Sequence, residues 1–224
     1  MKQRRRILVF TDTYPLFGPL IWMLCFQYFL VQIVVASAWH PAYNWATNLI
    51  SDLGNTACGT YANRFVCSPQ HGLMNASFIL LGLTMATGAL LIYQEFQETK
   101  LSLVGFTLMG LAGVGSMLVG AFPENTVASA HFGGAILALV VGNLSIVLLS
   151  FGLRKVQSAF KIYSFISGIV SLAAVVLFEL GVDFGLGQGT IERIVSYPQT
   201  LWLIIFGLYM SAVRVRARYN ARTS

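Results

Sequence analysis

The stretch HGLMNASFILLGLTMATGALLIY, His71 to Tyr93, contains no lysine, arginine, aspartate or glutamate. A helix needs about 20 mostly apolar residues to cross roughly 30 Å of hydrocarbon, and this stretch is long enough to do so. It lacks the strict alternation of a lipid-facing strand, so a β-barrel does not fit. Inside lipid every backbone amide must find a partner within its own segment, which leaves a helix. Five further stretches share the pattern: Leu16 to Ala38, Leu101 to Phe122, His131 to Phe151, Ile162 to Gly181, and Tyr197 to Val213. The expected fold is all-α, a polytopic membrane protein with six transmembrane helices in one bundle, forming a single domain over residues 1–224.

Composition points the same way. Hydrophobic residues make up 56% of the chain and charged residues 10%, with a mean hydropathy of +0.71. A soluble domain carries about a quarter charged residues, so this chain cannot cover a water-facing surface. A disordered chain, a secreted disulfide scaffold and an ordinary cytosolic enzyme are all excluded. No internal repeat is visible, so an inverted-repeat transporter has no support.

Lysine and arginine set the expected orientation. Lys2, Arg4, Arg5, Arg6, Lys100, Arg154, Lys155, Lys161, Arg214, Arg216, Arg218 and Arg222 fall on the side of the termini. Only Arg64 and Arg193 fall on the other, so 12 of the 14 basic residues mark one face. The chain is expected in the plasma membrane with both termini inside. The net charge of +6 then reflects topology and anionic lipid, with no nucleic-acid partner. Met1 to Arg6 followed by an apolar run and Ala36-Ser37-Ala38 imitates a signal peptide. The run is about 22 residues, against 7–15 for such a segment, so it is expected to remain as the first span.

Small residues at four-residue spacing occur in the third span (Ala112, Ser116 and Gly120, with Gly113 beside them) and in the fourth (Gly134, Ala138 and Gly142). These two spans are expected to pack closely. Cys25 lies mid-span as apolar filler. Cys58 and Cys67 share the first outward segment, where they form a disulfide or else remain free thiols or a metal-binding pair.

A chain this apolar is most informative where it places ionisable groups. Asp52, Glu124, Glu179, Asp183 and Glu192 lie on the outward side or at the outer end of a span, as do His40, His71 and His131. Polar groups at membrane depth are expensive and usually mark function. Asn48 to Gly54 is an amphipathic stretch, and Ser68-Pro69-Gln70-His71 leads into the second span. His71 and Asn75 stand at i and i+4 on one face. Gly187, Gly189, Glu192 and Arg193 lead to Tyr197-Pro198 at the expected start of the sixth span.

Three chemistries fit this set. Asp52, His71, Glu124 and His131 suit a divalent metal such as zinc that activates water. Ser51 suits a nucleophile, with His71 or His131 as base and Asp52 or Glu124 to orient it. His71 and His131 suit the axial positions of a haem. No HExxH, GxSxG or CxxCH spacing selects among them. Structural roles compete with each: interfacial hydrogen bonding for the histidines, an N-cap for Ser51-Asp52, a salt bridge for Glu192-Arg193, and a helix-dipole contact for Glu124.

The elements Asn48-Leu49-Ile50-Ser51-Asp52-Leu53-Gly54, Ser68-Pro69 with Asn75-Ala76-Ser77-Phe78, Gly120-Ala121-Phe122-Pro123-Glu124 and His131-Phe132-Gly133-Gly134-Ala135 carry a resemblance. With them the chain resembles the six-span bacterial and archaeal membrane proteins grouped as domain of unknown function 998, a family that implies no activity. Ile50-Ser51-Asp52 and His131 with Gly134-Ala135 are also similar to short motifs of another six-span group. That group includes the damage-regulated autophagy modulators and a GPI-lipid remodelling factor, and the likeness implies lipid handling. Alkaline-ceramidase-type hydrolases place serine, aspartate and three histidines around zinc, but no histidine follows His131 here.

The expectation is a polar pocket at the outer leaflet that binds or hydrolyses a lipid or lipid-linked head group, with enzymatic activity left open. Membrane lipids are the expected partners. Ser51, Asp52, His71, Glu124 and His131 would form the working core, and Arg193 would pair with an anionic head group. Asn48, Asn75 and Glu192 would orient the substrate. The alternatives are a transporter or accessory membrane subunit, and a haem-binding membrane protein without hydrolytic activity.

Overall fold

The computed structural model describes residue 14, residues 16–97 and residues 99–223. The basic residues Lys2, Arg4, Arg5 and Arg6 and the acids Asp12 and Glu98 lie outside the described residues. Six helices are long and apolar enough to cross a membrane: α1 Phe17–Ser37, α2 His71–Tyr93, α3 Lys100–Ala121, α4 Ala128–Gly152, α5 Ser158–Glu179 and α6 Gln188–Thr223. They form one bundle. α1 tightens into a 3₁₀ turn at Leu24–Phe26, and α4 widens into a π-helical turn at Ile136–Val141.

The sixth span departs from its expected limits. The helix begins at Gln188, before Tyr197, and Pro198 lies inside it. Proline has no N–H to give the carbonyl four residues back, here that of Ile194. Ser171 Oγ of α5 donates to that carbonyl at 3.2 Å, and Asn143 Nδ2 of α4 donates to the neighbouring Val195 carbonyl at 3.1 Å. Side chains from two adjacent helices thus replace the lost backbone bond, which is how membrane helices tolerate proline. Glu192 and Arg193 consequently stand on a helix, where a loop was expected.

Residues 39–70 cap one end of the bundle. They contain a 3₁₀ turn, Ser51–Gly54, and an antiparallel hairpin of β1 Cys58–Tyr61 and β2 Arg64–Cys67. Ala62 and Asn63 at its tip both have positive φ, 44° and 64°, as a two-residue turn matched to strand twist requires. Cys58 and Cys67 face each other across the strands and are disulfide-bonded. Cys25 is a buried free thiol.

Close helix contacts follow the small residues, with one correction. Gly113, Ser116 and Gly120 of α3 turn toward α2, not toward α4. A Cβ on Gly113 would lie 2.5 Å from the Gly82 carbonyl, one on Gly120 would lie 2.4 Å from the Asn75 carbonyl, and Ser116 Oγ donates to the Phe78 carbonyl at 2.8 Å. The α4 contact is made by Gly115, whose Cβ would meet the Gly134 carbonyl at 2.6 Å. Successive helical residues are about 100° apart, so α3 uses one glycine face for each neighbour. Gly142 of α4 packs on Gln199 of α6.

The end opposite the hairpin is filled by aromatic rings. Trp22 lies 5.6 Å from Trp202 and 5.6 Å from Phe206, and Trp202 stacks on Phe206 at 5.1 Å. Both indoles are satisfied, Trp22 by the Met85 carbonyl at 3.1 Å and Trp202 by Ser164 Oγ at 2.7 Å. Large rings with satisfied polar edges pack this half solidly.

Replacing Gly82 by alanine would set a methyl group 2.2 Å from the Gly113 carbonyl, whereas Gly110 on the same α3 faces open space. Gly82→Ala is expected to lower stability by about 1–3 kcal/mol, as overpacking does. Gly110→Ala is expected to be neutral or slightly stabilising, since alanine is the better helix former. Thermal unfolding of the two variants in detergent checks the contrast.

Candidate functional site

The hairpin end is organised around Asp52. Its carboxylate is fully buried, which is tolerable only with a full set of donors. Leu49 N–H donates at 2.7 Å, Arg64 Nε donates at 2.8 and 2.9 Å, and Arg64 Nη2 donates at 2.6 Å. The guanidinium fork matches the carboxylate geometry, so Arg64 is fixed as well as charge-compensated. Ser68 Oγ donates to the Leu53 carbonyl at 2.7 Å and Asn75 Nδ2 to the Gly54 carbonyl at 2.9 Å, tying the turn to the start of α2. A Cβ on Gly54 would lie 2.3 Å from Asn75 Oδ1, so a larger residue there would displace the amide that ties the turn to α2.

Glu124, in the turn between α3 and α4, joins this cluster. Asn55 Nδ2 donates to its Oε1 at 2.8 Å, and Arg64 Nη2 lies 3.6 Å from its Oε2. Tyr61 Oη donates to the Glu124 carbonyl at 2.9 Å, binding the hairpin to that turn. Burial, followed by the neighbouring Asp52 charge, pushes the Glu124 carboxyl up to about 8. Burial also raises the Tyr61 phenol.

Glu192 and Arg193 hold the preceding loop to α6. Glu192 accepts from the N–H of Ile50 and Ser51 and from Ser51 Oγ, the last at 3.1 Å. Arg193 Nη1 donates to the carbonyls of Asn48 (3.1 Å) and Gly189 (2.6 Å), Nη2 donates to Tyr43 Oη at 2.5 Å, and the guanidinium lies 5.0 Å over the Trp45 ring. Four contacts thus tie Arg193 to the loop and to the first turn of α6, and the residue does not line the cavity described below. Burial raises the Tyr43 phenol above its ordinary range.

Ser51 sits between Glu192 and His131. His131 Nε2 is 3.2 Å from Ser51 Oγ, and its Nδ1 is 2.9 Å from the Phe122 carbonyl. A carbonyl only accepts, so Nδ1 carries the hydrogen and, in a neutral ring, Nε2 is an acceptor that competes with Glu192 Oε1 for the single Ser51 hydroxyl hydrogen. Serine, oriented imidazole and carboxylate are thus in contact. The carboxylate touches the serine, however, while a backbone carbonyl orients the imidazole, unlike the Asp–His–Ser order of hydrolase triads.

These groups form the polar end of a cavity of about 590 Å³. Ser51, Arg64, Glu124, His131 and Glu192 line that end. Apolar walls come from Phe78, Leu81 and Met85 of α2, Val119 of α3 and Leu139 of α4. Glu192, Ser196 and Gln199 all line it at i, i+4 and i+7, a polar stripe running down α6. Between α4 and α5 the wall is incomplete. α5 packs along Gly142–Gly152, the other half of α4, and touches Ile136–Val141 only slightly. Phe132 and Ile136 border the gap and are 59% and 57% exposed, and Val175 and Phe178 border it from α5. A widened π turn at this position turns the α4 side chains there away from the regular helical spacing.

The structure distributes the remaining sequence-predicted residues outside the cavity lining. Asp52 stands behind Arg64. His71 directs Nδ1 to the Ser68 carbonyl at 2.9 Å, Asn75 serves Gly54, and Asn48 Oδ1 accepts from the Asn44 N–H at 3.0 Å. The metal set of Asp52, His71, Glu124 and His131 is not assembled. Among the described residues no three His, Cys, Asp or Glu side chains are grouped to hold one ion, and Arg64 occupies the Asp52 carboxylate. The cavity lined by His131 is not lined by His71, so it does not present the pair of axial ligands a haem would take. Arg64, Asn55 and Tyr61 were missed. The available signal was Arg64 itself, one of two basic residues among many acids on that side.

A family model described as Protein of unknown function (DUF998) matches residues 23–209. The chain belongs to that family. No curated protein and no solved structure matches it. The DUF998 match runs from α1 into α6 and so includes the hairpin, the Glu124 turn and every residue at the polar end of the cavity.

The raised Glu124 carboxyl gives a pH dependence of definite sign. Its folded value of about 8 lies above the ordinary 4.5, so the folded state holds an extra proton between the two. The stability this group contributes is full below 4.5 and declines as pH rises through 8. Glu124→Gln should therefore gain in unfolding temperature relative to wild type between pH 5 and pH 9. Parallel profiles would show that Glu124 is ionised throughout.

Proposed function

We propose that this membrane protein binds a lipid, taking the head group into the polar end of the cavity and leaving the acyl chains along the apolar walls and out between α4 and α5. One observation carries the proposal: a single cavity joins buried ionisable groups to an apolar wall that is open where lipid would be. A water-filled conduit would not need that side opening. The hairpin end is assigned to the outer face of the plasma membrane. Support comes from the basic residues at the opposite end of the bundle and from the Cys58–Cys67 bridge, which suits an oxidising compartment.

The test is native mass spectrometry of protein released from membranes. Wild type should retain phospholipid. Ala135→Trp, which projects an indole into the cavity lining, should release it while circular dichroism still reports a folded helical bundle. Full retention by a folded Ala135→Trp would place the lipid elsewhere.

Ester hydrolysis is a second reading, favoured by the 3.2 Å contact of Ser51 Oγ with His131 Nε2. Ser51 would attack the carbonyl as its proton passes to His131. The leaving alcohol would take that proton, and water would then hydrolyse the acyl-serine. Incubation with phospholipid should release fatty acid, and His131→Gln should slow release by about 10²-fold or more. A rate unchanged in both His131→Gln and Ser51→Ala would leave lipid binding without hydrolysis.

A further inference from the structure

Resting on the lipid-binding proposal, the unmet hydrogen bonds at the polar end of the cavity narrow the head group further. The charges there are already answered within the chain. Asp52 is paired with Arg64 through three contacts. Glu192 accepts from the N–H groups of Ile50 and Ser51 and from Ser51 Oγ, and Arg193 follows it in the chain. Burial, and then the Asp52 charge, hold the Glu124 carboxyl up to about 8, so at neutral pH it is uncharged and keeps its hydrogen. A head group that brought a further charge here would be desolvated with no counter-charge to meet it.

What remains open is hydrogen bonding of both kinds. His131 Nε2 and Glu192 Oε1 lie 3.2 and 3.1 Å from one Ser51 hydroxyl with a single hydrogen, so one acceptor is always short of a donor. Arg64 spends Nε and Nη2 on Asp52, which leaves the Nη1 hydrogens as donors. Ser196, one turn along α6 from Glu192, lines the same cavity and is 7% exposed, and its Oγ has no hydrogen-bond partner. Buried groups of this kind cost free energy until something completes them. We infer that the lipid presents hydroxyl groups, and no charge, to this end of the cavity. A hydroxyl both donates, as His131 Nε2 requires, and accepts, as Arg64 Nη1 requires. An ammonium only donates, and an ionised phosphate offers only acceptors. This differs from the anionic head group expected from the sequence.

The test offers the full-length protein in detergent two pairs of lipids of one acyl composition, with occupancy read by native mass spectrometry. Phosphatidylglycerol and phosphatidylethanolamine share the phosphate and differ in a diol against an ammonium. Diacylglycerol and phosphatidic acid share the glycerol and differ in a hydroxyl against a charged phosphate. The hydroxyl-ended member should exceed the other by about tenfold in each pair, the effect of one buried group left unpaired. His131→Leu, which removes the unfilled acceptor, should bring both ratios down severalfold. If that variant does not fold by circular dichroism, the two wild-type ratios decide. Equality or reversal in either pair, or unchanged ratios in a folded His131→Leu, overturns the hydroxyl terminus and leaves the lipid proposal standing. Occupancy by none of the four overturns both.

Discussion

Asp52 is a carboxylate with no exposed surface, and most of the hairpin end follows from satisfying it. A buried charge is tolerated only when paired and hydrogen-bonded, and removing a partner from such a pair typically costs about 3–5 kcal/mol. The partner lies 12 residues later, on the second strand of a hairpin whose stem is closed by a disulfide. Meeting the needs of Asp52 therefore pulls the hairpin down onto the bundle. That motion brings Tyr61 to the Glu124 carbonyl, and Arg64 to within 3.6 Å of the Glu124 carboxylate. Strand, turn and two helix ends are fixed by one ion pair.

The two halves of the bundle then differ in kind. Away from the hairpin, Trp22, Trp202 and Phe206 pack ring to ring, and Gly88 makes room for the Trp22 indole. Toward the hairpin the helices are held apart by side chains that bond to loops. Glu192 and Arg193 are spent on the 43–51 loop, and His131 spans from the Phe122 carbonyl to Ser51. Polar anchoring at the perimeter leaves an interior space that close packing would have filled. There α5 diverges from the outer part of α4, and under the proposed function that space would open to lipid.

The six spans were legible because their signal is local: each is a long run nearly free of charge. The start of α6 was not, because Pro198 looks like a helix beginning. The donors that let the helix pass through it, Ser171 and Asn143, arrive from other helices. At the site, Ser51, Glu124, His131 and Glu192 stood out as ionisable or reactive groups in an apolar chain, and they do line one cavity. Arg193 and His71 carried the same signal but bond to groups beside the cavity and do not line it. Whether a polar side chain turns to a cavity or to its own loop depends on a few tens of degrees of helix rotation, which composition and spacing do not encode. Arg64 was hidden for the converse reason, since only its pairing with Asp52 places a hairpin residue over the bundle.

The central claim is that the Asp52–Arg64 pair roofs a cavity made for a lipid. An experimental density map of the protein in lipid nanodiscs tests it most directly. The account predicts a head-group feature bounded by Arg64, Glu124 and His131, with density continuing past Phe132 and Ile136 between α4 and α5. A cavity closed by side chains, with lipid confined to the outside of the bundle, would contradict it.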